Sequence, residues 1–275
     1  MKIKTLAIML ATTLALTNQE CVSASFTIDM EELLSKGDIN MLIIPNQQPQ
    51  ITHAGEHLWS FNQQGGYEKT SKVKVNGLDL LSISWEGTEG EQAEQIYMLK
   101  KLELSQVVPP AITLKLRIPG TIKDCGSNVP VHIGEKAFKG LVSYVPQNLS
   151  LELEFVYGNG FVNAYRNGFV KFPYNCSQLC EGSNVITGMD FSGADTSETI
   201  YMSSMFKDCI RLKELRLDNF NMRNIFYSDN MFENCSQLTT LKFGPKTIHP
   251  QQNNQFSTTE IINHIVDTNK SFWNY

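Results

Sequence analysis

The fold is decided by the stretch YMSSMFKDCIRLKELRLDNF at residues 201–220, which recurs in altered form as YSDNMFENCSQLTTLKFGPK at residues 227–246. The two stretches lie 26 residues apart, and the positions that they share are aromatic, aliphatic or cysteine, whereas the polar positions between them differ. A repeat that keeps its large apolar positions indicates a shared buried face. The identical pairs are Tyr201 and Tyr227, Met205 and Met231, Phe206 and Phe232, Cys209 and Cys235, and Leu212 and Leu238.

Each repeat leads into a short alternating segment that is typical of a β-strand. Alternate residues of a strand point to opposite faces, so Leu215 and Leu217 share one side. One coil cannot bury that side alone, but a coil stacked on it can. The spacing predicts a leucine-rich-repeat solenoid, although the turn position that usually holds asparagine holds Ala194, Phe220 and Lys246. The three segments are Ile186-x-x-Met189-x-Phe191, Leu212-x-x-Leu215-x-Leu217 and Leu238-x-x-Leu241-x-Phe243.

Two motifs resemble the bacterial surface leucine-rich-repeat proteins called BspA-like. The unit MF-x-x-C-x-x-L-x-x-L-x-L-x-x-F of that family is matched at every fixed position between Met205 and Phe220. The run VPVHIGEKAFKG at residues 129–140 is similar to its second unit type, but the cysteine expected soon after Gly140 is missing. The resemblance covers residues 112–248, about half of the chain. It implies a displayed or secreted protein, since several members are regarded as adhesins.

The rest of the chain divides into regions with different patterns. Residues 25–111 predict a β-rich N-terminal region, with a short helix from Asp29 to Lys36 and a hairpin at Asn76-Gly77. The solenoid is placed at residues 112–250, with an inserted meander near residues 141–173, where the period is lost. Residues 251–275 predict a C-terminal cap with a helix beginning at Ser257. The predicted fold class is therefore α/β or mainly β.

The N-terminus predicts export. Lys2 and Lys4 precede the apolar run from Leu6 to Leu16, and small residues follow at Val22-Ser23-Ala24. This pattern is typical of a secretory signal peptide at residues 1–24. No later apolar run is long enough for a transmembrane helix, and the mature chain is expected to be secreted or on the cell surface. The formal net charge is −5, and no basic run favours nucleic-acid binding.

The cysteines are interpreted as structural. Cys209 and Cys235 occupy the same position of neighbouring repeats, where a small apolar side chain packs well. Cys176-x-x-x-Cys180 lacks the additional ligands that a zinc site would need. The pairing state of Cys125, Cys176 and Cys180 is left open by the sequence, and an odd number of cysteines after cleavage leaves at least one thiol free. No cofactor is predicted.

One motif offers an enzymatic alternative. The run HAGEH at residues 53–57 has the H-x-x-E-H spacing of some zinc peptidases. On a helix, His53 and His57 could bind zinc together, with Glu56 as the base and Glu135 as a third ligand. Gly55 weakens a helix at this point, and Glu135 belongs to the repeat-like run. The zinc peptidase is therefore the second hypothesis, and a structural envelope protein is the third.

The favoured hypothesis is a non-catalytic module that binds an extracellular protein or glycan in adhesion, or in interaction with a host or another cell. A solenoid presents one strand per coil, so outward side chains form columns on a continuous face. Arg216 is the leading candidate, because arginine is enriched at binding hot spots. The predicted ligand-binding residues are Asp190, Ser192, Glu214, Arg216, Asp218, Thr240 and Lys242.

Overall fold

The chain is mainly β, as one of the two predicted fold classes states. The computed structural model describes residues 24–54, 60–61, 66–89, 95–124, 127–158, 168–221 and 224–244. The predicted signal peptide, apart from Ala24, and the predicted C-terminal helix lie outside these residues, as do Cys125, Glu56 and His57. Within them there is one α-helix, and no helix is both long and apolar enough to cross a membrane.

The first sheet contains six strands, and every neighbouring pair in it is parallel. Its inward side chains are buried and its outward ones are polar, because each strand alternates between the two faces. Met189 lies opposite Leu215, which lies opposite Leu241. In order across the sheet, the strands are β1 (Ala24–Asp29), β8 (Ile112–Pro119), β11 (Leu149–Val156), β13 (Ile186–Asp190), β15 (Glu214–Leu217) and β16 (Thr240–Phe243).

The second sheet is larger and mixes parallel with antiparallel pairs. Its central hairpin turns at Asn76 and Gly77, whose φ angles of 48° and 83° are both positive, as a type I′ turn requires. The predicted hairpin is confirmed. In order across the sheet, the strands are β14 (Ala194–Asp195), β12 (Val170–Lys171), β10 (Ser127–Ile133), β7 (Gln95–Leu104), β6 (Leu78–Glu89), β5 (Tyr67–Val75), β2 (Asp38–Leu42) and β3 (Gln50–Ala54), while β4 (Ser60–Phe61) pairs with β5 and β9 (Thr121–Asp124) with β10.

Both sheets extend from the N-terminal region into the region predicted to hold the repeats. β1 pairs with β8, and β7 pairs with β10, so backbone hydrogen bonds cross the boundary that the sequence places at Ala111. The helix α1 (Met30–Lys36) connects the first sheet to the second. Asp29 accepts a hydrogen bond from the Glu31 amide at its start, and Gly37 ends it, as the sequence predicts.

One hydrophobic core joins the inner faces of the two sheets. Phe191 lies at its centre, with ring centroids at 4.9 Å from Phe155, 5.3 Å from Phe172, 6.1 Å from Phe206 and 5.1 Å from Phe220. All five rings are buried. Tilted and edge-to-face pairs at these distances are favourable aromatic arrangements, so this cluster holds several coils together.

The predicted meander near residues 141–173 is wrong in its described parts. β11 lies parallel between β8 and β13, with Leu151 opposite Leu114, and β12 lies parallel between β10 and β14. A meander would be antiparallel. The spacing from one strand to the next is simply longer here, and the turn signals at Gly158 and Gly168 belong to connections between the sheets.

The identical peptides NCSQL at residues 175–179 and 234–238 do not mark an insertion either. Asn175 pairs with Tyr201, and Tyr201 with Tyr227, so the 26-residue interval is unbroken. Asn234 lies at the height of Asp208, to which its amide donates a hydrogen bond of 2.6 Å. The two peptides therefore occupy different positions of their coils, seven residues apart in frame.

Arg211 connects three successive strands at their amino-terminal ends. Its Nη1 donates to the carbonyl oxygens of Pro146, Leu149 at 2.7 Å and Asn184 at 3.4 Å, and its Nη2 lies 3.3 Å from Ser150 Oγ. Desolvation lowers the pKa of this guanidinium.

We expect Arg211→Lys to lower the free energy of unfolding by about 1–3 kcal/mol, because one ammonium cannot reach carbonyls arranged for a planar fork. Urea denaturation measures the change. Lys213→Arg, at a neighbouring exposed position, is the control and should leave stability unchanged. Equal stability of Arg211→Lys and wild type would show that the fork is dispensable.

Candidate functional site

The candidate site is the outward face of the first sheet. The register places Asp190 beside Arg216 and Arg216 beside Lys242, and Glu214 beside Thr240. Five of the predicted site residues therefore form two columns on β13, β15 and β16. Their function as ligand-binding residues stays a prediction.

Arg216 is held between two carboxylates. Its Nη1 lies 3.0 Å from Asp190 Oδ2, and its Nε lies 3.0 Å from Asp218 Oδ2. The charge of Asp190, followed by those of Asp218 and Glu214, raises the pKa of Arg216. The guanidinium is 38% exposed, so it is positioned by its neighbours and still open to solvent.

A third column of predicted residues follows the ends of the strands. The Ser192 amide donates to Asp190 Oδ1 at 2.9 Å. Gly244 is required by close packing, because a Cβ there would lie 1.7 Å from the carbonyl oxygen of Asp218. Ser192 offers an exposed hydroxyl at this edge, while Gly244 contributes backbone alone.

The face is wider than the sequence analysis proposed. Lys115 and Arg117 on β8 lie beside Glu152 and Glu154 on β11, with ion-pair distances of 3.2 Å and 3.4 Å. Asp29 on β1 lies 3.7 Å from Arg117 at the far end. The runs ITLKLRI at 112–118 and LSLELEF at 149–155 carry the same alternation, and that signal could have identified these residues.

A groove of about 510 Å³ lies in the middle of this face. It spans β8, β11, β13 and β15, and Gly188 lies at its base between Glu152 and Glu214. No aromatic residue lines it among the described part of the chain. The polar residues that surround Gly188 are Lys115, Glu152, Glu154, Asp190, Glu214 and Arg216.

The helix that the zinc hypothesis needs is not found at its first ligand. His53 and Ala54 belong to β3, where His53 pairs with Ile39 and its Nε2 lies 3.7 Å from Glu32 Oε1. Glu135 lies in the turn after β10. The described residues contain no group of three or more His, Cys, Asp or Glu side chains that could hold a metal ion.

The four described cysteines are buried thiols without disulfides: Cys176, Cys180, Cys209 and Cys235. Cys209 Sγ donates to the carbonyl oxygen of Cys180, and Cys235 Sγ to that of Phe206, each at 3.0 Å. Burial raises the pKa of Cys176 and of Cys235 to about 12, and it raises those of Cys180 and Cys209 as well. A neutral, buried thiol is a poor nucleophile, so these cysteines belong to the core.

In comparisons with known proteins, no family model, no curated protein and no solved structure matches this chain.

Proposed function

We propose that this chain is a secreted or cell-surface leucine-rich-repeat protein of the BspA-like kind, which binds an extracellular protein or glycan without catalysis. The observation that supports it most is the register of β13, β15 and β16. Residues 26 apart are paired across these strands, as are Asn175, Tyr201 and Tyr227 on the opposite side of the same coils. A solenoid whose coils match the sequence repeat has this arrangement.

The backbone of the repeats supports the same interpretation. Between Asn175 and Asp208, alternate amides donate to carbonyls of the following coil, at 2.8 Å from Cys176 to Tyr201 and 2.7 Å from Met202 to Tyr227. Each coil thereby satisfies backbone groups of its neighbour. The sulfur atoms of Cys209 and Cys235 satisfy carbonyls in the bends, in the absence of an asparagine at the usual turn position.

The outward face supports a binding function. It carries side chains of both signs on six parallel strands, held in columns by ion pairs of 3.0–3.7 Å. Exposed ion pairs contribute little to stability, about 0–1 kcal/mol each. A ligand can therefore exchange its own polar groups for these partners at small cost, and the rigid sheet keeps them in place.

Binding of the purified protein to extracellular matrix proteins and to a glycan array tests this proposal. We expect a ligand whose affinity falls at least tenfold in Arg216→Glu, because the reversed charge faces Asp190 and Asp218 and loses the arginine contact. The matched control is Lys171→Glu, which reverses one charge of the exposed pair with Glu198 in the second sheet. An absence of binding in both panels, or an equal loss in the two variants, would contradict the proposal.

Exposure on the cell is a separate measurement. Intact source cells treated with added protease should lose the protein, whereas a cytoplasmic marker should remain. Protection of the protein until the cells are lysed would contradict the proposed location.

A further inference from the structure

Gly188 occupies the centre of the outward face for no reason of backbone geometry. A Cβ at this position would meet Glu152 Cγ at 3.6 Å and the carbonyl oxygen of Glu214 at 3.8 Å, which are ordinary contacts. A glycine inside a strand weakens it, and such a glycine often marks a place where a ligand approaches the backbone closely. Gly193 differs, because its Cβ would lie 2.4 Å from the carbonyl oxygen of Phe155. Folding explains Gly193, whereas it leaves the recess at Gly188 unexplained.

A β-bulge coincides with the recess. Leu151 pairs with Ile186, but Glu152 pairs with Gly188, so Thr187 is an extra residue on β13. The Thr187 hydroxyl donates to the carbonyl oxygen of Leu151 at 3.4 Å. Bulges are enriched beside functional sites, where they redirect side chains. Here the bulge brings Gly188 into line with two glutamates.

The charges around the recess favour a cation. Glu152 and Glu214 lie one strand away on either side of Gly188, at about 4.8 Å between strands. Glu154 and Asp190 form the next row, whereas the nearest cations lie outside these four carboxylates. Glu152 is paired with Lys115 and Asp190 with Arg216, but Glu214 forms no ion pair within 4.0 Å among the described residues.

We propose that the recess over Gly188 receives the guanidinium of an arginine side chain from an extended segment of a protein ligand. This inference rests on the proposed binding function and selects protein over glycan. The guanidinium lies between Glu152 and Glu214, and Glu214 accepts paired hydrogen bonds from it, a geometry that arginine forms and lysine does not. The groove has no aromatic ring on which the face of a sugar could stack.

Short synthetic peptides in which threonine alternates with arginine, lysine, glutamine or glutamate test the proposal by fluorescence anisotropy. We expect the arginine peptide to bind most tightly, the lysine peptide more weakly, and the glutamine and glutamate peptides not at all. Affinity for the arginine peptide should fall about tenfold in Glu214→Gln, the equivalent of one lost charge-assisted contact. Raising the salt concentration should weaken binding as well.

The Gly188→Thr variant tests the recess itself. Threonine suits a strand and fits without a backbone clash, so the variant should unfold at the same or a higher urea concentration while binding the arginine peptide about tenfold more weakly. The control, Glu198→Gln, removes one exposed carboxylate away from this face. Absence of arginine-peptide binding to the wild type, unchanged affinity in Gly188→Thr, or equal binding of the glutamate peptide would each overturn the proposal.

Failure of this inference can be distinguished from failure of the proposed function. If a matrix or glycan ligand is lost in Arg216→Glu but retained in Gly188→Thr, the face binds ligands and the arginine recess is wrong. If neither variant changes any binding, the proposed function fails with it.

Discussion

Phe191→Ala is expected to lower the free energy of unfolding by about 3–5 kcal/mol, the usual cost of removing a large buried aromatic side chain. Phe191 is fully buried, and four other rings surround it at centroid distances of 4.9–6.1 Å. These rings come from several coils and from both sheets, so the neighbours cannot all move into the space without disturbing the backbone pairing. The loss is measurable by urea denaturation followed by fluorescence or circular dichroism.

The control is Phe226→Ala, which removes the same side chain from a position that is 79% exposed. A surface substitution of this kind changes stability by about 0.5 kcal/mol or less. If both variants were destabilised equally, the burial of Phe191 in a single shared core would be wrong.

The second large effect is a loss of stability at alkaline pH that originates in the buried thiols. An unfolded cysteine ionises near its ordinary value of about 8.5, whereas Cys176 and Cys235 ionise at about 12 in the fold, because burial disfavours the thiolate. Between these values the folded state binds more protons than the unfolded state. Stability therefore falls as pH rises, by about 1.4 kcal/mol per pH unit for each such thiol.

Urea denaturation between pH 7 and pH 10.5 measures this dependence, and Cys235→Ser is the matched variant. A serine hydroxyl does not ionise in this range and can donate to the Phe206 carbonyl in place of the thiol. Ser183 already occupies the equivalent position one coil before Cys209 and donates to the Leu141 carbonyl at 2.9 Å. The slope should become shallower by one thiol's contribution. An unchanged slope in Cys235→Ser would show that Cys235 is accessible or already ionised.

Local sequence signals were sufficient for several elements. The hairpin turn at Asn76-Gly77 and the cap at Asp29 depend on the residues themselves, because positive φ angles and a short carboxylate meet local backbone requirements. The pairing of Met189, Leu215 and Leu241 was also predictable, since equal intervals of apolar residues place successive strands side by side. The columns of Asp190, Arg216 and Lys242 follow directly from that register.

Strands with unequal intervals were not predictable in the same way. Leu114, Leu151 and Met189 lie on neighbouring strands although the connections between them are longer and differ from each other. The connections that carry β9, β10 and β12 serve the second sheet, and nothing local records how far apart two paired strands lie in sequence. Repeated pentapeptides were misleading for the same reason, because an identical local sequence can occupy two positions of a coil.

The sequence by itself determined which faces are buried, where the regular strands lie and which charges point outward, because these depend on alternation and on local turn chemistry. Only the tertiary structure decided that β1, β8 and β11 extend the same face. It likewise decided that His53 lies in a strand and that a bulge aligns Gly188 with Glu152 and Glu214. Those features arise from backbone pairing between residues distant in the chain, and that pairing is selected by how the whole core packs.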